Sequence, residues 1–188
     1  MMKKIFSAGA AGIFILLSAC SVPSYYTEEE EEVPENIEME WGEEVPLPSL
    51  NDAPVSRAQI NEDEEGEPEE VEIWYSEEEE DELLPYFQDA GNRHRYEEDY
   101  STRLVYGVNS NDIHITLNYE AGDQMVFGAH DDVLSIGGRP VGRDIQSGPI
   151  TYTFHANGGT YSISYSEEAR ADTDVHREQI KAFLQNSG

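Results

Sequence analysis

The chain has 188 residues, with 40 Asp and Glu against 11 Lys and Arg, a formal net charge of −29. That balance excludes a general nucleic-acid binder, because phosphate contacts need clustered Lys and Arg to release counterions and the chain past its first few residues has no such cluster. The acidity is uneven: residues 28–99 hold 29 acids and three bases (Arg57, Arg93, Arg95), net −26, whereas residues 100–188 hold 11 acids and six bases, net −5. Two physical regimes share one chain.

Met1-Met2-Lys3-Lys4 is a short cationic start, and Ile5 to Leu17 is an apolar run of 13 residues. A helix needs roughly 20 to span a bilayer, so residues 1–19 read as a signal peptide. Leu17-Ser18-Ala19-Cys20 resembles the lipobox of bacterial lipoproteins: a long apolar residue, two small ones, then the cysteine that receives lipid. In that family the peptidase cuts before the cysteine, so the resemblance implies acylated Cys20 as the first residue of a mature chain. It also implies a place in the cell envelope. Ser21 stands where lipoproteins kept in the inner membrane usually carry Asp, which points to the outer membrane of a Gram-negative cell. The alternative is an ordinary secreted protein with an incidental cysteine. Cys20 is the only cysteine, so no disulfide forms within the chain and the folded part is held by its core. With each buried methylene contributing about 0.8 kcal/mol, two acyl chains suffice for stable anchoring without a spanning helix.

Between Cys20 and Asp99 stand the acidic runs Glu28 to Glu32, Glu62 to Glu65 and Glu77 to Glu82, with prolines at 23, 34, 46, 48, 54, 68 and 85. Such runs repel themselves and bury too little apolar surface to offset backbone entropy. Residues 20–99 are predicted to form a disordered acidic tether, about 50 Å long as a neutral coil and longer under its own repulsion. Within it, Ile37-Glu38-Met39-Glu40-Trp41 and Val71-Glu72-Ile73-Trp74-Tyr75 resemble a degenerate internal repeat. Period-two alternation suits a half-buried strand, which makes Trp41, Trp74 and Tyr75 candidate partner-binding residues through addition to a sheet edge. Residual hydrophobic spots in a solvated linker are the alternative. Leu83-Leu84-Pro85-Tyr86-Phe87 is apolar enough to dock on the folded part and mark its border.

From Tyr100 the composition turns to Gly, Thr, Ser, Tyr, Ile and Val. Ile113 to Tyr119 alternates as an antiparallel strand covered on one side. Ile150 to His155 and Thr160 to Tyr165 flank Ala156-Asn157-Gly158-Gly159, whose Asn-Gly supplies the positive φ angles of a tight hairpin. Weaker strands are predicted at Arg103 to Val108, Gln124 to Phe127 and Val133 to Ile136. Asp172-Thr173-Asp174 offers N-cap oxygens to a helix from Val175 to Gln185, with Ile180, Phe183 and Leu184 on one face. The fold class is therefore mainly β: a small antiparallel barrel or sandwich over residues 100–188 with a C-terminal helix.

No nucleophile motif emerges, and no catalytic residue or cofactor is assigned. Gly137-Gly138-Arg139-Pro140-Val141-Gly142 lacks the strand-turn-helix context of a phosphate cradle and reads as a loop between strands. Of the five histidines only His130 has carboxylates beside it, Asp131 and Asp132, and neighbours on an extended chain point apart. His114 and His155 can meet only if their strands adjoin. No metal site is assigned, and the spacing of an EF-hand loop is absent.

Two functions stand beside each other. The first is a noncatalytic envelope lipoprotein whose β domain binds a protein or wall component while the acidic segment sets its reach. Such acidity steers cationic partners, although it equally suits solubility in a salty habitat. The second rests on a resemblance to membrane-bound lysozyme inhibitor lipoproteins of the C-type class, which carry a Ser-Gly-x-x-Tyr-like loop that enters the lysozyme cleft. Ser147-Gly148-Pro149-Ile150-Thr151-Tyr152 is similar to that loop but one residue longer, and the chain lacks the family's domain cysteines. The resemblance implies Ser147 and Gly148 as contacts to a cationic hydrolase.

Overall fold

The chain forms eight strands, β1 (Val55–Glu62), β2 (Pro68–Ser76), β3 (Thr102–Gly107), β4 (Ile113–Ala121), β5 (Asp132–Ile136), β6 (Arg139–Asp144), β7 (Ile150–Ala156) and β8 (Gly159–Tyr165), with apolar and polar side chains alternating most cleanly along β4, β7 and β8. In the computed structural model, which describes residues 26–48, 50, 53–76, 84–107, 113–122, 127, 132–145, 148–167 and 173–187, these strands form one antiparallel sheet. Its order is β3-β1-β2-β4-β8-β7-β6-β5, so the sheet ends at β3 and β5. The fold is mainly β with a C-terminal helix.

One sheet face is apolar. Ile60, Ile73, Leu117, Ile163, Phe154 and Val141, from six different strands, are all fully buried on it. Two helices cover that face. In α1 (Val33–Trp41), residues Val33, Ile37 and Trp41 recur every four positions and so share one side, which packs on the core. Pro34 sits in its first turn, where its missing N–H is not needed. Gly42, at φ 90°, ends the helix by donating to the Glu38 carbonyl at 2.8 Å. In α4 (Thr173–Asn186), His176, Gln179, Ile180, Phe183 and Leu184 form the buried stripe. Tyrosines give this core polar handles: the Tyr161 hydroxyl donates to the Pro46 carbonyl at 2.9 Å, and that of Tyr165 to Gln179 Oε1 at 2.9 Å. Burial pushes both phenols above their ordinary range.

The folded part does not begin at residue 100. β1 and β2 lie between β3 and β4, with Ile60 opposite Arg103 and Ile73 opposite Leu117. Over residues 26–48, 53–76 and 84–99 the expected disordered tether is instead sheet, helix and packed segment. Alternation explains how acids and order coexist. Glu70 and Glu72 point away from the core while Val71, Ile73 and Tyr75 point into it, so neither charge enters the apolar interior. The two tryptophan stretches are not structural repeats either. Val71 to Tyr75 is strand, but Ile37 to Trp41 is helix, because Ile37 and Trp41 are also four residues apart, while Met39 between them is 46% exposed. Phe87 docks as expected, from the short helix α2 (Pro85–Gln88), which precedes α3 (Ala90–Tyr100).

The expected loop at 137–142 is a tight turn followed by β6. Pro140 concealed that strand. It lies in the stretch paired only with β5, since the ladder to β7 starts at Gly142, and so withholds no bond from β7. Residues 1–19, Cys20, the run 77–82, Gln124 to Val126 and Ser147 lie outside the described residues.

The β7–β8 turn has Asn157 at φ 51° and Gly158 at φ 78°, the left-handed pair of a two-residue hairpin. Gly159 then passes under a ring: a Cβ on it would lie 2.2 Å from Tyr119 Cε2. Gly159→Ala is expected to lower stability by about 1–3 kcal/mol through overpacking, read by urea denaturation. Residues 100–188 expressed alone lack the two strands that join β3 to β4, and are expected to show no cooperative thermal transition.

Candidate functional site

The opposite face of the sheet is polar over β2, β4, β8 and β7, while toward β3 it is covered by Leu104 and by Phe87 of α2. Register places its side chains in transverse rows, strands about 4.8 Å apart. One row runs Arg57, Trp74, Thr116, Ser164, Thr151; the next runs Gln59, Glu72, Asn118, Ser162, Thr153. A third carries Asn61 near Glu70, then Glu120, Thr160 and His155. These positions alternate with core positions along every strand, so the pleat that buries Ile60 and Ile73 also projects Gln59, Asn61 and Glu72 outward.

On the β1–β2 side the outward groups form one hydrogen-bond network. The Tyr96 hydroxyl on α3 donates to Gln59 Oε1 at 3.0 Å, and Gln59 Nε2 donates to Asn61 Oδ1 at 2.8 Å. Asn61 Nδ2 donates to Glu70 Oε2 at 2.8 Å, and Asn118 Nδ2 donates to the other Glu70 oxygen. Each planar group is thereby held in one orientation. The Arg57 guanidinium carbon lies 5.1 Å from the centre of the Trp74 ring and 5.9 Å from that of Phe87, a cation held against two aromatic faces. Toward β7 the network gives way to hydroxyl pairs, Thr151 with Ser164 at 2.8 Å and Thr153 with Ser162 at 3.3 Å. Side chains of Thr116, Asn118, Ser162 and Thr151 keep part of their surface in solvent.

Half-burial pushes the Glu72 carboxyl above its ordinary value, and the Glu70 charge adds to the rise, against hydrogen bonding from Asn61 and the nearby Arg57 charge. The face is thus an array of fixed donors and acceptors with one closely set carboxylate pair. Such an array can hydrogen-bond polar groups. Among the described residues no group of three His, Cys, Asp or Glu is placed to hold a metal ion. His114 and His155 lie on β4 and β7, which both flank β8, and at opposite ends of it: His114 neighbours Ser166 and His155 pairs with Thr160.

The structure does not gather the residues singled out by sequence. Trp41 packs inward, edge-on to Tyr119 at 5.7 Å. Tyr75 is 6% exposed on the core face, while Trp74 beside it points outward. Gly148, at φ 105°, precedes β7, far along the sheet order from β2. Of the candidates among the described residues only Trp74 joins the outward face. Arg57, Gln59, Asn61 and Tyr96 were missed, though Arg57-Ala58-Gln59-Ile60-Asn61 carries the same alternation that marked the other strands.

A separate cleft of about 400 Å³ lies between the β5–β6 turn and α4, lined by Ser135, Gly137, Asp174, Arg177, Glu178 and Lys181 among others. Among the described residues no helix is long and apolar enough to cross a membrane. Compared with protein-family models, curated proteins and solved structures, the chain gives no match to any of them.

Because the folded pKa of Glu72 is raised, the native chain holds this proton more tightly than the unfolded one. The group's penalty is absent below the unfolded pKa and grows as pH rises from there through the folded value. Glu72→Gln removes the penalty. The variant is expected to match wild type in stability near pH 4 and to equal or exceed it at neutral pH, as measured by urea midpoints across pH.

Proposed function

We propose that the chain is a lipid-anchored lipoprotein of the cell envelope, at the outer membrane, that binds a protein or wall partner without catalysis. The observation that carries this reading is the outward sheet face. Gln59, Asn61, Glu70 and Asn118 are locked by mutual hydrogen bonds before any partner arrives, so little side-chain freedom is lost on contact. Trp74 and Tyr96 border the network with aromatic surface of the kind that anchors interfaces. Glu70, Glu72 and the chain's net charge of −29 favour a cationic partner and repel anionic polymers. The lipobox-like Leu17 to Cys20 supports the anchor.

Two experiments separate the parts of this reading. Cys20→Ser is expected to abolish labelling by a palmitate analogue and to move the protein from the membrane to the soluble fraction; retained label contradicts the anchor. For the face, wild type and an Asn118→Arg/Ser162→Arg variant with an unchanged circular dichroism spectrum are compared by crosslinking in envelopes and by co-sedimentation with purified wall sacculi. A partner or wall association lost at least tenfold in the variant supports the face as the site. Equal association of both proteins, or none by wild type, contradicts it.

A further inference from the structure

The two ends of the sheet are finished differently. At β3 the outer edge is occupied: Thr27 N–H donates to the Val105 carbonyl at 2.9 Å, Leu84 N–H to the Gly107 carbonyl at 3.4 Å, and Leu104 N–H donates to Glu97 Oε1 at 3.1 Å. At β5 nothing comparable exists among the described residues. Gly137 and Gly138, both at positive φ, make a two-residue turn that pairs Ile136 with Arg139, Leu134 with Val141 and Asp132 with Arg143. In such a hairpin these alternate pairs exchange hydrogen bonds with β6, which leaves the N–H and C=O of Val133 and Ser135 directed out of the sheet. Val133 is 58% exposed, and β5 has neither the lysine nor the proline that commonly blunts an edge.

Beyond the proposed function, we infer that β5 is a self-association edge, where a second copy of this chain pairs antiparallel to join two sheets into one. The register is self-complementary about Leu134. With Leu134 opposite its counterpart, Val133 of each copy faces Ser135 of the other, so the outward backbone groups of both residues bond across the seam. Asp132 then faces Ile136, and no like charges meet.

Charge selects a second copy over other occupants. Among the described residues the densest acidity lies elsewhere: residues 28–44 carry ten acids and no base. The β5–β6 hairpin instead carries Asp132 and Asp144 with Arg139 and Arg143, and α4 carries Asp174 and Glu178 with Arg177 and Lys181, so each is balanced. Helix α1 contacts β1, β2 and β3, at the other side of the sheet order. From β5 that is on the order of 30 Å at ordinary strand spacing, several Debye lengths at physiological salt. Two copies can therefore meet at β5 without bringing their α1 surfaces together.

The test uses the mature chain with Cys20→Ser, so that lipid does not drive association, and the lipidated chain in its own membranes. Sedimentation velocity is expected to show a concentration-dependent dimer for the first, weakened at least tenfold by Val133→Lys with an unchanged thermal midpoint. In membranes, Leu134→Cys is expected to form a disulfide-linked homodimer on mild oxidation, while Ile113→Cys, away from this edge, is not. A monomer at the highest soluble concentration, a dimer unaffected by Val133→Lys, or a Leu134→Cys crosslink to a different polypeptide would each overturn the inference.

Discussion

The ladder between β2 and β4 is the constraint on which the rest depends. It joins a hairpin from the acidic half of the chain to the strands of the less acidic half, from Glu70 opposite Glu120 to Tyr75 opposite Ile115. Without it β3, β1 and β2 part from the other five strands, because no other ladder joins the two groups. Helix α1 spans the junction, lying on β1, β2 and β3 while Trp41 at its end packs on Tyr119 of β4. The outward network has the same dependence, since Asn118 of β4 and Asn61 of β1 hold one carboxylate of β2 between them.

That arrangement accounts for how so acidic a segment folds. Charge opposes compaction when it must be buried or crowded, and the pleat eases the first by turning every second residue away from the apolar core. The second is eased by amide donors placed on Glu70 and by ion pairs at the border, where Arg103 binds both Glu40 and Glu62 and so ties α1 to the edge of β1. A row of tyrosines completes the core. Tyr161 and Tyr165 fill volume with their rings and use their hydroxyls to fix the covering segments at Pro46 and Gln179, and His176 stacks on Tyr165 at 3.5 Å between ring centres.

Sequence made the C-terminal half legible because its alternation is uninterrupted: Ile113 to Tyr119, Ile150 to His155 and Thr160 to Tyr165 are strands, and the helix ending the chain buries Ile180, Phe183 and Leu184. The N-terminal half was misread where composition outweighed pattern. Val71-Glu72-Ile73 shows the same period as those strands, yet the Glu runs around it argued for disorder. Ile37 to Trp41 fits two periods at once, and only Val33, one turn earlier, decides for helix. Pro140 hid β6, since a proline's effect on a strand depends on which neighbour needs its N–H, and that is a property of the assembled sheet. The outward face could not be read from any single stretch, because Arg57, Tyr96 and Asn118 meet only through pairing across the sheet and the docking of α3.

Hydrogen exchange of the native chain, followed by mass spectrometry, tests most directly whether both halves form one cooperative unit. The account predicts that amides of residues 55–62 and 68–76 are protected to the same extent as those of 113–121 and 159–165, and that they open together as denaturant is added. Exchange of residues 55–76 at the rate of an unstructured peptide, beside protected strands after residue 113, would contradict it.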